Sequence, residues 1–154
     1  MTALTLKSYQ QTALDALTAF ARAAQLKGPA LAFAEQAGRP YNLEAFGAEL
    51  PCVCLRIPTG GGKTVLAAHA VPLLAREWCQ VDAPVAVWLV PSDAIRQQTL
   101  KALQTPGHPY RAALTEAYGE QLAGVHTRRG GTNRPARLGA HRRGSGGDHA
   151  ELSH

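Results

Sequence analysis

The sequence predicts an α/β fold, with parallel strands flanked by helices, and three observations carry that reading. Two short apolar runs, residues 52–57 and 85–90, are nearly continuous and rich in β-formers, as expected of strands buried on both faces. Between them, an alanine-rich segment from Lys63 to about Trp78 repeats Leu66, Ala70, Leu74 and Trp78 at helical spacing. A turn of three glycines, Gly60, Gly61 and Gly62, joins the first run to that segment. Strand, helix and strand of these lengths form a βαβ unit, which predicts parallel strands and a right-handed crossover.

Taken in order, the chain opens with a helix. Ser8-Tyr9-Gln10-Gln11 has the form of a capping box, and Ala13, Leu14, Leu17, Phe20, Ala21 and Ala24 follow at helical spacing. Gly28-Pro29 stops it. Residues 29–50 read as a connecting insertion with a short helix near Ala30 to Ala37. The long helix after the glycines contains Pro72, whose missing N–H predicts a kink near Ala68. Pro91 ends the second strand, Ser92 or Asp93 caps a helix running to about Gln104, and Tyr110 to about Ala123 suits one more short helix.

The glycine turn is the chemically informative stretch. Pro58-Thr59-Gly60-Gly61-Gly62-Lys63-Thr64 lies between a strand and a helix, the context in which backbone N–H groups cradle phosphate oxygens. The helix start adds unpaired N–H groups and a positive dipole end. In such a loop Lys63 reaches the β/γ-phosphates and the Thr64 hydroxyl ligates Mg²⁺. The strict G-x-x-x-x-G-K-[S/T] pattern is not met, because Ile57 stands where its first glycine would be.

Composition narrows the classes. The 154 residues suit one domain, and a hydrophobic content of 45% suits a globular one. No apolar run approaches a membrane span and no signal segment opens the chain. Three cysteines without a C-x-x-C pair argue against a disulfide framework and for a reduced, cytoplasmic setting. The net charge of +5 is uneven: residues 1–123 carry ten Lys+Arg against nine Asp+Glu, and residues 124–154 six Arg against two acids.

The order of three segments resembles a known family. Leu6-Lys7-Ser8-Tyr9-Gln10, then Ile57-Pro58-Thr59-Gly60-Gly61-Gly62-Lys63-Thr64, then Val87-Trp88-Leu89-Val90-Pro91-Ser92 succeed one another as in superfamily 2 helicases and translocases. Within these, residues 4–123 are most similar to the DEAD/DEAH-type helicase subunit of type III restriction enzymes, the Res subunit. The Pro-Thr-Gly-x-Gly-Lys-Thr form is that superfamily's version of the phosphate loop, which answers the Ile57 objection. The resemblance implies an incomplete RecA-like P-loop domain over residues 1–123. It implies that Gln10 bonds the adenine edge with Tyr9 stacking near it, and that Thr59, Gly60, Gly61, Gly62, Lys63 and Thr64 hold ATP-Mg. Lys63 and Thr64 would be the catalytic pair, with Thr64 on Mg. Pro91, Ser92, Arg96 and Gln97 would contact the DNA backbone, and a modification/specificity subunit would be the partner.

The family's next motif is an apolar strand ending in Asp-Glu-x-[His/Asp]. The nearest quartet, Asp148-His149-Ala150-Glu151, has the wrong order and comes after glycines. The expectation is therefore an N-terminal fragment that binds ATP without turnover. The alternatives are another P-loop nucleotide-binding enzyme, or a non-enzymatic basic protein that binds nucleic acid. Residues 124–154 hold seven of the 15 glycines, four of the six histidines and no aromatic residue, and read as a disordered basic tail. A GC-rich gene read out of frame gives the same composition, and one choice among the degenerate codons for residues 141–147, read one base later, spells an apolar strand.

Overall fold

Leu14, Leu17, Phe20, Ala21 and Ala24 lie on one buried stripe of the first helix, α1 (Ser8–Lys27). A computed structural model describes residues 5–43, 50–119 and 122. The expectations for residues 124–154 lie outside them. The start of α1 is shifted from the expected capping box by one residue. Lys7, not Ser8, is the N-cap, and its N–H donates to Gln10 Oε1 at 2.9 Å. Gly28 ends α1 at φ +87°, and its N–H bonds Ala24 O at 2.8 Å. Pro29 then starts α2 (Pro29–Ala37), at a position where its missing N–H would have no helical partner anyway.

The second half of the chain supplies α3 (Lys63–Leu74), one π turn (Ala75–Cys79), α4 (Asp93–Gln104) and α5 (Pro109–Tyr118). The expected single helix to Trp78 is thus α-helical only to Leu74. Pro72 cannot bond Ala68, and just beyond it Ala75 N–H reaches both Val71 O and Pro72 O before the ladder widens into the π turn. Ser92 caps α4, its Oγ accepting from Ile95 N–H at 3.3 Å. His108 caps α5, its Nδ1 accepting from Tyr110 N–H at 3.3 Å.

The parallel sheet expected from the sequence is not formed: among the described residues there are helices and no strand. No RecA-like sheet is present among them, so the α/β reading is corrected to a helical one. Residues 52–57 and 85–90 carry the apolar, β-branched composition of strands, but no backbone hydrogen bond joins one to the other. A strand exists only through its ladder, and consecutive strands are neighbours only about two-thirds of the time. Composition supplied the two segments without supplying a partner for either. Val85, Val87 and Leu89 are accordingly 95%, 79% and 88% exposed.

The core sits where α1, α2 and the π turn meet. Phe20, Ala24 and Ala32 form its buried centre, with Phe33, Val53 and Trp78 packed against it. The Phe20 and Phe33 rings meet edge to face at 6.4 Å, and Phe33 meets Tyr41 at 5.5 Å. Tyr41 in turn anchors the stretch near Leu50: its hydroxyl donates to Leu50 O at 2.7 Å and accepts from Cys52 N–H at 2.8 Å. This ties the segment leading to the glycines onto α1 and α2. On the other side α3 packs against α1 and α5, and α5 against α4.

An ion cluster fastens the π turn to α1. Arg22 grips Glu77 with two bonds, Nε to Oε2 at 2.5 Å and a terminal nitrogen to Oε1 at 3.1 Å, and Arg76 Nε adds one at 2.8 Å. Hydrogen bonds from Arg22 and then Arg76 hold the Glu77 carboxyl down to about 2, from an ordinary 4.5. A depressed carboxylate contributes stability that is complete above its ordinary range and fades as pH falls towards about 2. Glu77→Gln is therefore expected to lower the melting temperature at neutral pH. The gap to the wild-type chain should close as pH falls from 4.5 towards 2, in melts followed by circular dichroism.

Candidate functional site

The glycine turn is built by three local constraints. Gly61 N–H bonds Pro58 O at 3.0 Å, closing a tight turn. Gly61 is buried, and a Cβ there would lie 2.6 Å from Ile57 Cγ2 and 2.9 Å from the Pro58 carbonyl. Gly62 has φ +78°, and a Cβ on it would sit 2.4 Å from Gln10 Nε2. The loop therefore needs glycine at 61 because its own backbone is close, and at 62 because the chain turns left-handed against α1.

From Gly62 the chain enters α3 directly. The first bond of the helix is Leu66 N–H to Gly62 O at 3.0 Å, so the N–H groups of Lys63, Thr64 and Val65 have no acceptor within the helix. These groups and the positive end of the helix dipole lie beside the turn. The Lys63 ammonium folds back over it and donates to Ile57 O at 3.2 Å and Pro58 O at 3.0 Å. Lys63 is exposed, Thr59 and Gly60 are exposed, and Thr64 is half-buried on the first turn of α3. A positive side chain resting on two carbonyls, next to unpaired N–H groups, is an arrangement that an anion can enter by recruiting the ammonium.

Gln10 is brought onto this loop from 51 residues away. Its Nε2 donates to Gly61 O at 3.1 Å while Oε1 accepts from Lys7 N–H, and the residue is 7% exposed. Tyr9, which the sequence placed only near the base, donates its hydroxyl to the same carbonyl at 3.0 Å. Nothing in the sequence signals that contact beyond Tyr9 standing next to Gln10.

Pro91, Ser92, Arg96 and Gln97 stay together as an exposed cluster at the head of α4, with Arg96 partly covered. Their polar groups are engaged within the cluster. Ser92 Oγ serves as the helix cap, Arg96 pairs with Asp93 Oδ1 at 2.6 Å, and Gln97 Nε2 donates to Asp93 Oδ2 at 2.6 Å. Among the described residues there is no group of three or more His, Cys, Asp or Glu able to hold a metal, and no helix is long and apolar enough to cross a membrane. Thr64 places a hydroxyl-bearing side chain, half-buried, on the first turn of α3 directly after the glycine turn.

A protein-family model, that of the type III restriction enzyme, res subunit, matches the chain over residues 3–132. No curated protein and no solved structure matches it. With the family match spanning most of the sequence, the chain belongs to the res subunit family of type III restriction enzymes, a family whose function is helicase-like and ATP-dependent.

Proposed function

We propose that this chain binds ATP with Mg²⁺ at the glycine turn and contacts the DNA backbone at the head of α4. It would do so within an assembly that couples ATP hydrolysis to movement on DNA beside a modification subunit. The observation that carries the reading is the Lys63 ammonium resting on Ile57 O and Pro58 O, at the mouth of a loop that Gln10 closes from behind. When the triphosphate enters, Lys63 exchanges those two neutral carbonyls for charged β/γ oxygens, and the first N–H groups of α3 point at the same anion. Thr64 supplies the hydroxyl for the metal, whose charge offsets that of the phosphates.

Gln10 retains the capacity for the base. A carboxamide has two donors and two acceptor lone pairs, and only one of each is used here, by Gly61 O and Lys7 N–H. One donor and one acceptor remain, the pair that a glutamine offers to adenine N7 and N6. At the second cluster, Arg96 holds Asp93 Oδ1 through both Nε, at 2.7 Å, and a terminal nitrogen, at 2.6 Å, and a DNA phosphate would take the guanidinium over from that carboxylate.

Limited proteolysis of the full chain tests the nucleotide half. MgATP is expected to slow cleavage around the glycine turn in the wild-type chain and to leave Lys63→Ala unaffected. Cleavage at the same rate with and without saturating MgATP in the wild-type chain would rule the reading out.

A further inference from the structure

Two neighbouring side chains of α1 converge on one backbone oxygen of the glycine turn. Tyr9 donates to Gly61 O at 3.0 Å and Gln10 Nε2 donates to it at 3.1 Å. A carbonyl has two lone pairs, so this one is fully engaged from the α1 side. The peptide after it, Gly61–Gly62, is flanked by the two residues with the least steric resistance to rotation. Without an external hold, nothing in its own side chains would fix which way it faces.

The hold has a directional consequence. In a planar trans peptide the C=O and the next N–H point to opposite sides, and no peptide among the described residues is cis. Keeping Gly61 O turned to α1 therefore keeps Gly62 N–H turned away from it. The α1 side of Gly62 is already filled, since a Cβ built there lies 2.4 Å from Gln10 Nε2. Lys63 and the N–H groups at the start of α3 that lack a helical acceptor follow directly on Gly62.

We propose that Tyr9 is a positioning residue of the nucleotide site. Its hydroxyl, together with Gln10 Nε2, fixes the Gly61–Gly62 peptide so that Gly62 N–H faces the phosphates. Tyr9 thus acts through the loop, on the phosphate end of the ligand, and not by stacking on the base. The inference rests on the nucleotide reading for what the loop binds, but not for the hold itself.

Tyr9→Phe separates these roles, because it keeps the ring and removes only the donor. On the full chain, its affinity for MgATP and for inorganic tripolyphosphate is expected to fall by the same factor, roughly three- to tenfold, the worth of one neutral hydrogen bond. The preference for ATP over GTP should stay as in the wild-type chain. In the unliganded protein, hydrogen exchange of the Gly61 amide, which closes the turn onto Pro58 O, should speed up by more than the small fall in global stability accounts for. Unchanged tripolyphosphate affinity in Tyr9→Phe, or Gly61 exchange equal to the wild-type rate, overturns the proposal. If the wild-type chain bound neither ligand, the nucleotide reading would fall on its own. The exchange rate would then still decide whether Tyr9 holds the loop.

Discussion

Phe20→Ala is expected to remove roughly 3–5 kcal/mol of folding stability, the usual loss when a buried phenylalanine is cut back to alanine. The reason for a loss of that size is the make-up of the core. Phe20 is 5% exposed, and its buried partners in the central cluster are the small Ala24 and Ala32, which cannot move in to fill the space. Its edge-to-face contact with Phe33 at 6.4 Å is lost as well. No large side chain in the described residues is completely buried, so few other contacts can compensate. Against a total of about 5–15 kcal/mol for a typical domain, this is a large share. Urea unfolding followed by circular dichroism measures it, and a midpoint within error of the wild-type value would show that the α1–α2 contact does not hold the fold together.

Lys63→Ala should weaken MgATP binding by about a hundredfold or more. Two charge-assisted hydrogen bonds to phosphate at roughly 1.5–3 kcal/mol each give at least about 3 kcal/mol, and 1.4 kcal/mol is about tenfold. In the free chain the ammonium bonds only Ile57 O and Pro58 O and is exposed to water, so the substitution should leave the melting temperature almost unchanged. Competition against a fluorescent nucleotide reads the affinity. Binding within threefold of wild type would show that Lys63 stays on the carbonyls when nucleotide is present, and that the anion is held elsewhere.

What could be read from the sequence divides by range. The helices come from local spacing: Leu14, Leu17, Phe20, Ala21 and Ala24 mark α1, and Pro29 and Gly38 bracket α2. The turn comes from its glycines. The sheet does not arise in the same way, because the apolar character of Val85, Val87 and Leu89 says only that they suit a ladder, and pairing is decided by residues far away in the chain. The shift of the first cap from Ser8 to Lys7 has a related origin. Both positions have glutamine three residues on, but Gln10 is the one that α1 turns towards the loop, and its Oε1 meets Lys7 N–H from there. The residue order that linked Gln10 to Gly60 through Thr64 was visible. The bonds that join them through Gly61 O, and Tyr9's share in them, depend on how α1 crosses α3, which no local pattern encodes. At the head of α4 the sequence showed Arg96 and Gln97 but not that Asp93 engages both.

Isothermal titration calorimetry of the full chain with MgATP, run beside Lys63→Ala, shows whether the turn from Pro58 to Thr64 is a site for ATP with Mg²⁺ operated by Lys63. Saturable one-to-one binding is expected in the wild-type chain, competed by tripolyphosphate and absent from a Lys63→Ala chain that melts at the same temperature. No binding heat in the wild-type chain, or the same isotherm for both, would contradict it.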